Sequence, residues 1–418
     1  MAQLSDDCFA YGGSLMTTAE ALDPIDRVTV PVTEVEPVGL RAAGGRNLAE
    51  DIEAERDVPP HPNSAVDGYA VYFDDLDAGA ETRLKVTGRI AAGHPLARPP
   101  RRGEALRVFT GALMPDGPDT VMMQEDCRAE GDEVVISPGI SRGANRREAG
   151  EDVTAGTTIL RRGRRLRPQD VGLAASVGRV TIDVYRPLKV AIFSTGDEVR
   201  EPGEDLAPGA IYDSNRYLIG ALLDALGCEV SDLGILADDL ETVRAALAGA
   251  AAAHDLLVTS GGVSGGDEDY VRTAVEALGR LHFWRLAIKP GRPLALGQVG
   301  TTPLIGLPGN PVAAMVTYVR IARPLILRLA GCAEVTPVLY RVRAEFDHDK
   351  KRDRREWVRA RLTMGDDGTL GAEKFSRAGA GILSSLVGSD GLVELPEEMT
   401  HVTRGMMVDF LPFSEVSA

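Results

Sequence analysis

A chain of 418 residues exceeds the usual domain size of about 100 to 200, so two to four domains are expected. With 44% hydrophobic and 26% charged residues and no long low-complexity tract, it has the composition of a globular protein and not of a disordered one. A net charge of -16 argues against a surface built to displace counterions from nucleic acid, though it leaves room for a locally positive pocket.

Basic runs at 161–167 and 350–355 read as solvated strand rims or turns, with an anion or partner patch as the alternative. The cysteines Cys8, Cys127, Cys228 and Cys332 form no CxxC pair or disulfide framework, which favours a reducing compartment. The histidines show no short zinc spacing. The N-terminus carries Asp6 and Asp7 instead of a basic signal region, and the longest apolar stretch, 245–253, is far shorter than the roughly 20 residues of a membrane span. A cytoplasmic protein with neither nucleic-acid nor membrane partners is expected.

In chain order, a helix and strand over 16–48 come first, and then proline-punctuated short alternating runs that read as a small β-rich unit. The expected division is an N-terminal platform at 16–50 and 141–187 with a β-rich domain, 51–140, inserted in it; an α/β domain at 188–331; and a C-terminal β-barrel domain at 332–418. The fold class is therefore multidomain α/β plus β. In the α/β part, continuous apolar runs predict a parallel sheet covered on both faces, with strands at 189–193, 229–236, 255–259, 282–288, 294–299 and 303–306. Helices are predicted over 215–226, 239–253, 269–278 and 311–329, with Asn215 as an N-cap and Pro311 in a first turn.

Ligands of open α/β sheets collect beyond the carboxyl ends of the strands, so the loops there are the first candidates. They carry Ser194-Thr-Gly-Asp-Glu198, Asp238-Asp239, the glycine-rich Ser260-Gly261-Gly262-Val-Ser264-Gly-Gly-Asp-Glu-Asp269, and Lys289-Pro-Gly-Arg292-Pro. The glycine-rich loop can turn backbone N–H groups onto an oxyanion, or be only a tight turn; no GK[ST] follows, so it is not a P-loop. Arg285, Lys289 and Arg292 offer anion-neutralising charge or are rim residues. Glu198, Asp238 and Asp269 suit an oxygen-preferring cation such as Mg²⁺, although Asp239 and Asp269 also fit helix caps. Gly306-Leu-Pro308-Gly-Asn-Pro311 forces a sharp strand-to-helix connection, and Asp67 and Thr110 sit in turns of the β-rich part.

Together, residues 63–70, 110–115, 145–152, 194–198, 211–215, 260–269, 286–293, 306–311 and 381–385 resemble the molybdopterin molybdenumtransferase family, the bacterial MoeA type similar to the C-terminal domain of gephyrin. The resemblance implies an elongated homodimer that inserts molybdenum from molybdate into adenylylated molybdopterin and releases AMP, with Mg²⁺ as cofactor. It further implies a site shared between subunits. Asp67, Thr110, Arg147 and Asp152 of one subunit would meet the partner subunit's central edge, with Glu198, Asp238, Asp269, Asp67 and Asp152 catalytic, and Glu198 and Asp269 as metal ligands. Thr110, Arg147, Ser260, Gly261, Gly262, Ser264, Arg285, Lys289, Arg292, Pro308 and Pro311 would bind substrate, and the preceding adenylyltransferase is an implied partner. Val66, Gly265 and Arg285 depart from the family's usual methionine, larger apolar residue and lysine; the first two concern packing and loop flexibility, and Arg285 keeps the charge but changes its geometry. The alternatives are a molybdopterin adenylyltransferase, which would have no use for the motifs at Asp67 and Thr110, and a gephyrin-like peptide-binding scaffold.

Overall fold

In the computed structural model, which describes residues 15–237, 239–261 and 270–417, the chain is organised around a central six-stranded sheet. Its order is Glu229–Leu236, Lys189–Thr195, Leu256–Ser260, Thr302–Leu307, Pro293–Val299, Gly279–Arg285. The first four strands are parallel. Alternate residues feed two cores: Val190, Ile192, Val258 and Ile305 pack beneath Asn215–Ala225 and Arg323–Leu329, while Ala191, Phe193, Leu257 and Leu304 pack with Leu240–Ala253 and Tyr270–Leu278. Helices on both faces account for the unbroken apolar runs.

Two features depart from the expected parallel sheet. Pro293–Val299 runs antiparallel because only residues 300 and 301 separate it from Thr302–Leu307, enough for a hairpin but not for a crossover. The strand expected over 282–288 is two pieces. Gly279–Arg285 pairs antiparallel with Pro293–Val299, and Ile288–Lys289 leaves to pair with Arg355–Met364 of the C-terminal barrel. The long helix expected over 311–329 forms as Pro311–Thr317, a π-helical stretch Tyr318–Ala322, and Arg323–Leu329.

Thr18–Val28 begins with a reciprocal cap, Glu20 N donating to Thr17 Oγ1 (3.2 Å) and Thr17 N to Glu20 Oε2 (2.7 Å). The sequence grouped this helix with the platform. It packs instead into the central core through Ala21 and Ile25, and Asp26 pairs with Arg328 at 3.0 Å, because its apolar stripe matches that of Arg323–Leu329.

Val35–Gly39 pairs antiparallel with Thr181–Tyr185 around a core that includes Leu48, Ile52, Leu160 and Val184. Between these two strands the chain forms a separate six-stranded sheet, ordered Thr120–Met123, Gly68–Val71, Glu104–Val108, Thr82–Ile90, Glu133–Ile136, Cys127–Glu130. At the C-terminal end, Arg355–Met364 pairs with both Leu370–Lys374 and Gly391–Leu395, and Tyr340–Ala344 and Met407–Pro412 complete a closed ring around Val342, Ala360, Val393 and Phe410.

The basic run at 350–355 is an exposed turn at Lys351 and Arg352, but its two ends are built into the barrel. Lys350 is buried, its ammonium donating to the carbonyls of Pro396 (2.7 Å), Glu397 (3.3 Å) and Met399 (2.6 Å), and Arg355 pairs with Glu394 (2.5 Å) and Glu397 (2.8 Å). Among the described residues no helix is long and apolar enough to cross a membrane.

Candidate functional site

The parallel register brings Ser194, Ser260 and Leu307 side by side, and Thr195 beside Leu236, so the loops that follow share one edge. Asn215 ties that edge together. Its Nδ2 donates to Ser260 Oγ (2.8 Å) and to the Gly309 carbonyl (2.7 Å). This corrects its expected role as an N-cap: Ser214 takes the cap position, and the Asn215 side chain is engaged in cross-linking three segments. Pro311 does open the helix Pro311–Thr317, behind Asn310.

A cavity of about 100 Å³ sits on this edge, lined among others by Thr195, Glu198, Asn215, Ser260, Gly261 and Pro311. Ser194 Oγ and Asn215 Oδ1 are buried without a hydrogen-bond partner among the described residues, and buried groups in that state are normally completed by a ligand or water. Gly196 (φ +134°) lets the chain turn close to the acid, since a Cβ there would lie 2.7 Å from Glu198 Oε2. Asp238, Gly262, Ser264 and Asp269 lie outside the described residues. Asp239 caps Leu240–Ala253 by accepting from Thr242 N (2.9 Å), the bland alternative for that acid.

Just behind the edge, the buried Arg216 guanidinium pairs with Asp213 (3.0 Å), Asp232 and Glu201, fixing the chain that carries Glu198. Burial opposes its charge, but the three carboxylates outweigh burial and raise its pKa. Sequence reasoning passed over Arg216, whose only signal was its place next to the 211–215 motif.

A second cavity, of about 700 Å³, lies between this edge and the barrel, and the two share Glu198, Ile211 and Gly309. Lys289 and Pro308 line it, opposite His348, Glu356, Arg359, Lys374 and Arg377 of the barrel. Four cations thus face two carboxylates, Glu198 and Glu356, a locally positive cleft in an acidic chain. Lys289 Nζ donates to Glu356 Oε1 at 2.6 Å. Burial pushes the Glu356 carboxyl up, yet hydrogen bonds from His348 and Lys289 outweigh it and hold the group at about 2. Arg359 is 8% exposed; one terminal nitrogen donates to the Arg377 carbonyl (3.1 Å), and it has no carboxylate partner among the described residues. Burial lowers its pKa. Such a guanidinium is costly unless an anion compensates it. None of these barrel residues was singled out from sequence, because they become neighbours of Lys289 only when Ile288–Lys289 joins the barrel.

Arg285 and Arg292 flank the hairpin next to Lys289, but both are exposed and neither lines the two cavities. Their backbones are used structurally: Met16 N donates to the Arg285 carbonyl (2.8 Å) and Leu286 N to that of Arg292 (2.8 Å).

The N-terminal candidates gather elsewhere. Thr110 donates to Asp67 Oδ1 from both N and Oγ1 (2.8 Å each), lowering the Asp67 pKa. Asn63 is the register partner of Arg147 and bridges to Leu113, and Asp152 N donates to the Val58 carbonyl (3.0 Å). Asp67, Thr110, Arg147 and Asp152 are absent from the linings of the two cavities at Glu198.

An open α/β edge with unfilled hydrogen-bonding groups, opening into a cationic cleft, defines a protein that handles phosphorylated or other oxyanionic ligands. Three family profiles match in succession: "MoeA N-terminal region (domain I and II)" over 16–178, "Probable molybdopterin binding domain" over 191–328, and "MoeA C-terminal region (domain IV)" over 341–413. The Haemophilus influenzae protein named molybdopterin molybdenumtransferase is 36% identical over 386 residues, 92% of this chain and 95% of its own. The protein of the same name from Nostoc sp. is also 36% identical, over 89% of this chain and 87% of its own. Among solved structures, the molybdopterin biosynthesis MoeA protein of Pyrococcus horikoshii OT3 superposes with a TM-score of 0.82 at 29% identity, covering 96% of this chain and 100% of that one. The chain belongs to the molybdopterin molybdenumtransferase (MoeA) family.

Proposed function

We propose that this protein inserts molybdenum from molybdate into adenylylated molybdopterin and releases AMP. The observation that carries the reading is the pair of cavities meeting at Glu198, since the reaction needs a phosphate-binding edge and an oxyanion cleft within reach of each other. Ser194, Asn215, Ser260 and Gly261 hold the substrate's phosphates. Lys289, Arg359, Lys374 and Arg377 hold molybdate, Arg359 being fixed by packing before the ligand arrives. Glu198, at the junction, orients the water that opens the phosphoanhydride. The AMP leaves and the other phosphate stays on molybdopterin; the two dithiolene thiols form two sulfur–molybdenum bonds and displace one oxide of molybdate, which leaves with their two protons as water.

Mg²⁺ is the cofactor this chemistry calls for, with Glu198 and Asp269 as its ligands. The Glu198 carboxylate on the rim of the phosphate cavity is a suitable hard oxygen donor, although the described residues gather no cluster of three or more ligating side chains. When bound, the ion neutralises phosphate charge. The active form is a homodimer in which Asp67, Thr110, Arg147 and Asp152 complete the partner subunit's site, and the preceding adenylyltransferase delivers the substrate. A cytoplasmic location fits the free Cys127, Cys228 and Cys332.

Purified protein mixed with adenylylated molybdopterin, Mg²⁺ and molybdate should release AMP at a rate that molybdate stimulates. AMP release indifferent to molybdate, or none, would overturn the reading.

A further inference from the structure

Within the cationic cleft, four side chains form one hydrogen-bonded row. Lys374 Nζ lies 3.0 Å from His348 Nδ1, His348 Nε2 lies 3.0 Å from Glu356 Oε1, and the same oxygen accepts from Lys289 Nζ at 2.6 Å. An ammonium can only donate, so the contact with Lys374 places the acceptor of the pair at His348 Nδ1 and leaves Nε2 as the donor to Glu356. The groups facing the ring are Glu356, Lys374 and the edge of Phe346, with Lys289 and, at 3.2 Å, Arg354 bound to the far side of Glu356.

All four members of the row line the cavity. A tetrahedral dianion drawing Lys289 and Lys374 toward itself removes a cation from Glu356, whose side chain is 3% exposed, and frees the lone pair on His348 Nδ1. A buried carboxylate that loses a counter-charge favours protonation of the nearest base. We propose that binding of molybdate in this cleft is coupled to uptake of a proton by His348, which then takes the place of Lys289 as a cation beside Glu356. The proton comes from solvent to Nδ1, no covalent bond of the anion changes, and His348 acts as a positioning residue. The inference rests on the reading of the cleft as the molybdate site.

The test is isothermal titration of the full-length protein with sodium molybdate in two non-phosphate buffers of different ionisation enthalpy. Wild-type protein should take up a fraction of a proton, at most about one, per anion, and its affinity should rise as pH falls by up to about tenfold per unit. His348→Gln keeps an acceptor for Lys374 and a donor for Glu356 but cannot be protonated, so it should bind with no proton uptake and little pH dependence. Uptake unchanged in His348→Gln overturns the inference and leaves the cleft reading standing, whereas wild-type protein that binds no molybdate overturns both. Should the variant fail to bind, the His348 ring resonance of the wild type decides: saturating molybdate must move its titration to higher pH, and a titration that stays put sinks the proposal.

Discussion

Glu356 is the acid on which the cleft is organised, and its ionisation is linked to folding. Its folded value of about 2 lies below the usual 4.5, so the carboxylate contributes stability that is complete above about pH 4.5 and is lost as pH falls toward 2. With a side chain only 3% exposed, the contribution is at most about 3 kcal/mol. Denaturant titrations at pH 5, 4 and 3 should show wild type losing its advantage over Glu356→Gln on acidification; a constant advantage would mean that the carboxylate is not coupled to the fold. Arg359 is the opposite case. As a buried cation with no carboxylate partner among the described residues, it costs stability unless an anion compensates it. Arg359→Met is therefore expected to be neutral, or stabilising by about 1 kcal/mol, without ligand, and to lose most of the thermal stabilisation that molybdate gives the wild type. A variant that is strongly destabilised and still stabilised by molybdate would show that the guanidinium is structural.

At the level of elements, the turn between Ile288–Lys289 and Pro293–Val299 sets where Lys289 stands. Gly291 (φ +98°) packs on the helix Pro311–Thr317, where an added Cβ would lie 2.4 Å from Thr317 Oγ1 and 3.1 Å from the Ala313 carbonyl oxygen. Gly291→Ala should cost about 1 to 3 kcal/mol by denaturant titration and weaken molybdate binding by displacing the turn. Gly309→Ala, whose Cβ would meet nothing within 4 Å, should stay within about 0.5 kcal/mol of wild type. Equal effects would remove the steric argument. The same elements explain what the sequence could reveal. The phosphate edge was legible because apolar runs ending in Ser194–Glu198, Ser260–Gly261 and Gly306–Pro311 mark strand ends locally. The cleft was not, because nothing in the local sequence marks His348, Glu356, Arg359 and Lys374 as neighbours of Lys289, and only the pairing of Lys289 with Glu356 brings them to the edge. The antiparallel turn of Pro293–Val299 was missed for a simpler reason: apolar continuity reports burial but carries no strand direction.

For the whole molecule, the question is how the N-terminal candidates reach the chemistry. Asp67 and Thr110 are bonded to each other, Arg147 is paired with Asn63 nearby, and none lines the cavities at Glu198 of the same chain. A two-fold dimer resolves this if each subunit lends its β-rich unit to the other's edge, which makes the two sites equivalent and each dependent on both chains. Subunit mixing then has a definite outcome. Asp67→Ala and Glu198→Ala homodimers carry no complete site, but in a heterodimer one site receives both altered residues and the other neither. If subunits exchange at random, half the dimers are mixed and each has one working site of two, so molybdate-stimulated AMP release should recover to about a quarter of wild type. Sites contained within one chain would give no recovery, because every chain carries one lesion. Size-exclusion chromatography with differently tagged chains establishes exchange independently, so that proven heterodimers without activity would refute the shared site.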